Sequence, residues 1–502
     1  MSPHFRKILI ANRGEIAVRI IRACRALGIS PVAVYCDGEE NALHVRMADE
    51  AYSLGPPLAG FLNAKLLLRL AKESGCQAIH PGYGFLSEQA AFAQACRANA
   101  VTFIGPSPRT LKRAGSKTEA RRSMQAAGIP TVPGSSGILE SLSEAKKNAT
   151  RIGFPVLLKA AYGGGGKGMK IARSMRDVEE LFGIAGEESL RSFGAAGIFL
   201  EKYIENARHI EIQILCDSHG NRVHLGERNC SFQRRHQKLL EESPSPRLAA
   251  ATRETLTRYA LKAAQALDYT NAGTVEFLVD SRDNIYFLEV NARIQVEHPV
   301  TEVLTGIDLV AQQIRIASRE PLDFSQKDVS LRGHAIECRI YAEDPFDHFL
   351  ASTGKVDALF LPSGPGVRVD TALCVGTDIT THYDALIAKI IAHGNDRADA
   401  IARMRAALNE FCISPVRTTV PLFLRLLRDK PFLQGKITTH HLEHLNLKTV
   451  SSRNADLSLV LAACLERQGA AMPCPPEALE RAASVSSFAI ARQRRMRNPW
   501  KA

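Results

Sequence analysis

TVEFLVDSRDNIYFLEVNARIQVEHP, residues 274–299, sets two apolar runs, Thr274–Val279 and Ile285–Val290, around the polar segment Asp280–Asn284. That pattern predicts an antiparallel hairpin. With the turn centred between Arg282 and Asp283, Glu276 stands opposite Glu289. Asn291, two residues further on, shares their face. Two carboxylates and an amide oxygen then converge on a sheet otherwise built of Val, Phe, Leu and Ile. Facing like charges destabilise a sheet, and two buried carboxylates do not both stay ionised without a neutralising partner. A divalent cation is such a partner, and hard oxygen ligands suit magnesium or manganese bridging to phosphates. A surface hairpin with incidental acids fits this stretch equally well, so the rest of the chain decides.

The chain of 502 residues is long enough for about three domains. With 45 % hydrophobic and 23 % charged residues it has the composition of an ordinary globular protein. No apolar run approaches the ~18 residues a membrane span needs. The start moves within a few residues into the strand-like KILIA, which leaves no room for a signal or transit peptide. Eleven cysteines, an odd number without a CxxC pair, favour reduced thiols in a cytoplasmic compartment. The net charge of +12 suits phosphorylated ligands or an acidic partner, but aromatic residues make up only 6 % and do not interleave with basic ones. Nucleic acid is therefore a weak reading.

Residues 1 to about 115 alternate strand and helix: Lys7–Ala11, a helix after Asn12-Arg13-Gly14-Glu15 closed by Gly28, then strands Pro31–Tyr35, Ala78–His80 and Val101–Ile104. This is a βαβ pattern with a parallel sheet. The first turn lacks GxGxxG, so a nicotinamide dehydrogenase is not supported. Further on, Phe154–Ala160 carries Lys159 and runs into Gly163–Gly168 (GGGGKG), followed by strand-like Met169–Ala172. Glycines held between two strands can close backbone amides over phosphates, although a glycine run also serves as a linker. Ala161 and Gly168 break the Walker pattern, and no kinase HRD or DFG follows. Phe199–Ile204 offers strand backbone to an adenine edge, with Glu201 available to accept from its amine. In Arg208–Ile214, His209, Glu211 and Gln213 share one face. Glu227–Lys238 (ERNCSFQRRHQK) reads as a polar, basic ligand-contacting loop, followed by Glu241-Glu242. Cys230 within it reads as a packing residue, not a nucleophile.

Taken together, IANRGEIA, HPGYGFLSE (80–88), KAAYGGGGKGM (159–169), EKYIENARHIEIQI (201–214), RNCSFQRRHQK (228–238) and EVNARIQVEHPVTE (289–302) resemble biotin carboxylase, the ATP-grasp component of biotin-dependent carboxylases. The resemblance runs from residue 5 to about 447. It implies an α/β and α+β fold: a parallel α/β domain over 1–115, an ATP-grasp domain over 116–330 with a mobile lid at about 131–203, and a mixed α+β domain over 331–447. A helix-prone basic tail fills 448–502.

Carried over motif by motif, the resemblance places Lys117, Lys159, Gly165, Gly166, Glu201, Lys202, Tyr203, Ile204, His209, Gln233, His236, Glu276 and Glu289 around ATP. Glu276, Glu289 and Asn291 would hold two Mg2+ or Mn2+ ions. Lys238, Arg293, Gln295, Val296 and Arg339 would bind bicarbonate and biotin. Glu297 would be the general base, and Arg293, Arg339 and Lys238 would act with it. If the backbone stays extended past Asn291, then Arg293, Gln295 and Glu297 continue along the face of the metal ligands.

Ser116, Ala351, Thr353, His382 and Ser414-Pro415 depart from the family pattern, away from the assigned chemistry. No Ala-Met-Lys-Met biotin attachment site occurs. The resemblance therefore implies a separate biotin carboxyl carrier protein bearing the biotin, separate carboxyltransferase subunits and a homodimer, with no nucleic acid or membrane. Acetyl-CoA is the first choice of final acceptor, ahead of other acyl-CoA thioesters, pyruvate and related oxo acids. Another ATP-grasp ligase, or a nucleotide-binding scaffold without turnover, is the competing reading.

Overall fold

The structure, a computed structural model, describes residues 5–160, 169–193, 197–445 and 447. The glycine run 163–168, with Gly165 and Gly166, and the tail from 448 lie outside the described residues.

The N-terminal part is built on a five-stranded parallel sheet in the order Glu50–Ser53, Ser30–Tyr35, Lys7–Ile10, Ala78–His80, Thr102–Phe103. Alternation along the first strand serves both faces of that sheet. Ile8 and Ile10 pack with Ile16, Ile20 and Ile21 of helix Gly14–Ala26, whereas Leu9 packs with Val32, Val34 and Ile79. At the end of this strand Asn12 clips the following loops together, its Nδ2 donating to Pro81 O and Tyr83 O, both at 2.7 Å. Gly82 sits there with φ +62°, and a Cβ would meet Asn12 Nδ2 at 2.9 Å; glycine leaves room for that clip.

A three-stranded antiparallel sheet, Lys170–Ala172, Val156–Ala160 and Ile198–Lys202, packs on helices Leu142–Ile152 and Met175–Phe193. The largest sheet has eight antiparallel strands in the order Ile285–Asn291, Asn271–Val279, Arg208–Cys216, Arg222–Arg234, Gln237–Ser243, His334–Tyr341, Leu386–Gly394, Val367–Thr371. It runs without a break across residue 330. Ile210, Ile212, Ile214, Val275 and Phe277 turn to helix Ala250–Ala266, through Leu256, Ala260, Ala263 and Ala264. The intervening His209, Glu211, Gln213 and Glu276 take the other face, and all are buried. The period-2 alternation thus divides a hydrocarbon layer from a charged one, not a core from bulk water.

Two expectations need correction. Glu227–Lys238 is no loop: strands Arg222–Arg234 and Gln237–Ser243 form a hairpin closed by Arg235 and His236. Both turn residues have positive φ, 48° and 67°, the geometry of a two-residue hairpin turn in which glycine or asparagine is usual. The chain also does not stay extended past Asn291, where the strand ends. Arg293 sits in a bend, Val296 and Glu297 in a turn, and helix His298–Thr305 begins with Pro299 in its first turn, a position whose missing N–H costs the helix nothing.

Gly273 marks how closely this sheet is packed. A Cβ there would stand 2.1 Å from Tyr269 Oη, whose hydroxyl donates to Ala272 O at 3.0 Å. Gly273→Ala is expected to destabilise the fold by about 1–3 kcal/mol, read as a lower urea midpoint at unchanged m-value. Among the described residues no helix is long and apolar enough to cross a membrane. The cysteines found there are free thiols, and most are buried.

Candidate active site

Glu276 and Glu289 are direct partners across the hairpin, as the alternation requires. The route to that register is less simple than the sequence pattern suggests. From Phe277↔Phe287 to Val279↔Ile285 the pairing is centred on Arg282, and an irregularity between Glu276 and Phe277 shifts it to bring Glu289 opposite Glu276. Asn291 joins them, its Nδ2 donating to Glu276 Oε1 at 2.7 Å. Glu276 Oε2 meets His209 Nε2 at 2.7 Å. Burial works against the Glu276 charge, but Lys238 and His209 hold its carboxyl far below the usual range. Glu289 opens on the cleft and makes no hydrogen bond or ion pair among the described residues. Its crowded protein surroundings and the Glu276 charge raise its pKa. A carboxylate left unspent beside a second one and an amide oxygen fits a hard divalent cation.

Next to the hairpin, acids and bases alternate in a chain. Arg228 Nε donates to Glu211 Oε1, and Lys238 Nζ bonds Glu211 Oε2 at 2.6 Å, Glu276 Oε1 at 2.7 Å and Glu297 Oε1 at 2.7 Å. Arg339 Nη2 then donates to Glu297 Oε2 at 2.8 Å and lies 2.5 Å from Glu241 Oε1. Burial disfavours the Lys238 charge, yet Glu211, Glu276 and Glu297 together raise its pKa well above the ordinary value. Burial would likewise neutralise Glu297, but Lys238, Arg339 and Arg228 hold it well below the usual carboxylate range. Glu297 is fully buried and is bonded to Lys238 and Arg339, which line the cleft.

The bend after Asn291 does what the extended run was expected to do. Arg293 folds back so that Nη2 donates to Asn291 Oδ1 at 3.0 Å and Nη1 to Gln295 Oε1 at 3.2 Å. Gln295 Nε2 donates to Glu276 Oε1 at 3.2 Å. Val296 O accepts from the buried Lys389 Nζ at 2.9 Å, which fixes the turn that carries Glu297.

The nucleotide side occupies the same cleft, of about 2250 Å3. Lys117, Lys159, Glu201, Lys202, Tyr203, Ile204, His209, Gln233 and His236 all line it, with Lys238, Glu276, Glu289, Asn291, Arg293, Gln295, Val296 and Arg339. Burial lowers the Lys117 pKa, and neighbouring Lys159 lowers it further. Lys159 Nζ rests on Glu201 Oε2 at 2.5 Å and Arg121 Nη1 on Glu201 Oε1 at 3.1 Å, so the Glu201 side chain is held by cations here. Lys202 Nζ is turned onto Gly153 O at 3.1 Å and Phe154 O at 2.6 Å. Tyr203 Oη meets His440 Nε2 at 2.5 Å. Gln233 pairs with Lys238 across the hairpin, and Cys230 behind it is a buried thiol whose pKa burial pushes well up. Ser116 caps helix Lys117–Ala126 by accepting from Glu119 N at 3.3 Å, a task its oxygen performs as an aspartate would.

Sequence reasoning missed Glu211, Arg228, Glu241 and Glu88. Glu88 Oε2 receives Arg293 Nε at 3.0 Å, and its Oε1 receives Ala292 N at 3.1 Å. Glu211 carried a signal, its shared face with His209 and Gln213. Arg228 lay inside the polar run taken for a loop.

An acid-bearing hairpin that faces two lysines across a cleft floored by an antiparallel sheet is the arrangement of an ATP-grasp ligase. Comparison with known proteins agrees. The carbamoyl-phosphate synthase L chain ATP-binding domain matches residues 116–325, the biotin carboxylase N-terminal domain 4–111 and the biotin carboxylase C-terminal domain 337–444. Biotin carboxylase 1 of Bacillus subtilis is 52 % identical over 441 residues, 87 % of this chain and 98 % of that protein. The 2-oxoglutarate carboxylase small subunit of Hydrogenobacter thermophilus is 50 % identical over 440 residues, 88 % and 93 % of the two chains. A crystal structure of the biotin carboxylase domain dimer of the H. thermophilus 2-oxoglutarate carboxylase, with MgADP, ADP and bicarbonate, superposes with a TM-score of 0.87 at 49 % identity. It covers 89 % of this chain and 99 % of that one. The chain belongs to the biotin carboxylase family and is an ATP-dependent ligase.

Proposed function

We propose that the protein carboxylates the biotin of a separate biotin carboxyl carrier protein, using bicarbonate and ATP by way of carboxyphosphate, and releases ADP and phosphate. The observation that carries this reading is the placement of Lys238 and Arg339 on Glu297, at the wall of a cleft that also holds the acid hairpin and Lys117 and Lys159. An anion entering there meets two fixed cations beside a carboxylate. Bicarbonate is a poor nucleophile, and Glu297 takes its proton as the oxygen attacks the γ-phosphorus. Lys117 and Lys159 neutralise and place the phosphates. Glu276, Glu289 and Asn291 hold Mg2+ or Mn2+, which supplies charge neutralisation on the phosphates when bound. Lys238, Arg293, Gln295 and the backbone at Val296 hold bicarbonate. Carboxyphosphate breaks down to CO2 and phosphate, the phosphate takes the biotin N1 proton, Arg339 offers a permanent positive charge to the developing enolate oxygen, and N1 attacks the CO2. The segment from about 131 to 203 closes over the cleft and keeps water from the labile intermediate. The working units are 1–115, 116–330 and 331–447.

ADP formation that requires bicarbonate and rises with free biotin tests this; stimulation by glutamine or an amino acid, with none by biotin, would sink it. Arg339→Ala is expected to lower biotin-dependent turnover at least about tenfold more than bicarbonate-dependent ATP hydrolysis; equal losses would deny Arg339 the enolate role. Acetyl-CoA is the acceptor to try first, followed by other acyl-CoA thioesters, pyruvate and 2-oxoglutarate. A pull-down of the carrier and carboxyltransferase decides among them, because the acceptor is chosen by the carboxyltransferase. Sedimentation tests the expected homodimer.

A further inference from the structure

Behind Arg339 the sheet carries acids that this chemistry does not use. Glu241 on strand Gln237–Ser243 is the direct partner of Glu337 on strand His334–Tyr341, and both are fully buried. Neither Glu337 oxygen receives a hydrogen bond. Arg339 Nη2 touches Glu241 Oε1 at 2.5 Å but off the hydrogen-bonding direction, so neither Glu241 oxygen receives one either. The same nitrogen donates to Glu297 Oε2 at 2.8 Å, while Arg339 Nε is buried without a partner. One guanidinium nitrogen is thus divided between an acid from the turn before helix His298–Thr305 and an acid from the sheet behind it. Directly opposed like charges destabilise a strand pair, and two buried acids this close do not both ionise.

We propose that Glu241 is a positioning residue for Arg339. Ionised, it draws the guanidinium toward the sheet and away from Glu297; protonated, it yields Arg339 to Glu297. This rests on the carboxylase reading above. The titratable groups around Glu241 are Lys238 of its own strand, Arg339, Glu337, Cys338 and Tyr341 of the next, Cys230 of the strand before, and Glu297. Burial pushes the Glu241 pKa up to about 7, with Arg339 offsetting part of the rise and Glu297 adding to it. Burial holds Glu337 protonated well above the ordinary range, with Lys389 offsetting part. Of the two acids, Glu241 is therefore the one that changes charge near neutral pH.

The test compares wild type, Glu241→Gln, Glu241→Asp and Glu337→Gln in biotin-dependent carboxylation from about pH 6 to about pH 9. In wild type kcat rises through a limb near neutrality. Glu241→Gln loses the limb and about tenfold or more of kcat at the alkaline end, with KM for ATP within about twofold; Glu241→Asp and Glu337→Gln keep the limb. Melting gives a second readout on the ligand-free protein. Between the ordinary carboxylate value and about 7 the native state holds a proton that the unfolded chain has lost, so wild type loses stability as pH rises through that window. Glu241→Gln does not, so its Tm matches wild type near pH 5 and exceeds it near pH 8. A limb that survives Glu241→Gln, a limb lost in Glu337→Gln, or a Tm difference that is flat with pH overturns the proposal. A wild type with no biotin-dependent turnover instead overturns the carboxylase reading, and the melting comparison then judges Glu241 by itself.

Discussion

Replacing Glu297 with glutamine is expected to lower bicarbonate- and biotin-dependent ADP formation by about 100- to 10,000-fold, while the dissociation constant for ATP shifts by less than about twofold. The side chain is fully buried and is held as an anion by Lys238 at 2.7 Å and Arg339 at 2.8 Å. In that state it is a weak base, because the same cations that keep it ionised hold its pKa well below the usual range. A base becomes stronger when its counter-charges are drawn away. Bicarbonate bound by Lys238 and Arg339 draws them away, so the arrival of substrate strengthens the base that acts on it. Glutamine keeps the shape and leaves Lys238 with Glu211 and Glu276, so the fold survives and the loss is chemical. Turnover within a few-fold of wild type would falsify the assignment. In the ligand-free protein Glu297 sets no limb near neutrality, since its ionisation lies below the ordinary carboxylate range; the stability gained from that ionisation is lost as pH falls from the ordinary carboxylate value through the depressed one.

Arg228→Met should destabilise the protein by about 3–5 kcal/mol, the largest effect on stability expected here. Arg228 has no exposed surface and ties four elements together. It donates to Glu211, to Gln213 Oε1 at 2.8 Å, to Thr301 Oγ1 at 2.9 Å and to Thr274 Oγ1 at 3.1 Å. Truncation strands the buried Glu211 with Lys238 as its remaining cation. Urea unfolding of Arg228→Met, Glu211→Leu and the double variant reads the coupling. The double variant should recover part of the loss, because removing both charges removes the stranded one. A double variant whose loss equals the sum of the single losses would mean the two side chains act independently.

These residues mark where the sequence was readable. The Glu276–Glu289 pairing follows from period-2 alternation over a short loop, a local property, and the parallel sheet follows from the βαβ pattern in the same way. The irregularity beside Glu276 left no mark, because its residues look like any other strand. The hairpin closed by Arg235 and His236 was taken for a loop because both residues adopt positive φ without the glycine or asparagine that announces such a turn. The charged run Glu227–Lys238 argued for a ligand-contacting loop over a buried strand for a sound reason: ions are seldom buried unless paired. Their partners, Glu211, Glu276 and Glu297, come from strands and turns remote from them in sequence, so no local pattern names them. Pro299 was a usable signal of a helix start, and it explains why the chain turns after Asn291 where alternation argued for continued strand.

The eight-stranded sheet has a consequence for anyone who divides the chain. Strands Gln237–Ser243 and His334–Tyr341 are zipped together by backbone pairs from Leu240↔Cys338 to Ser243↔Ala335. Cutting the gene near residue 330 would leave each fragment with a raw strand edge whose backbone groups are unpaired, the kind of edge that recruits other chains into aggregates. Fragments made separately should therefore precipitate, or recombine when co-expressed, because each supplies the strand the other lacks.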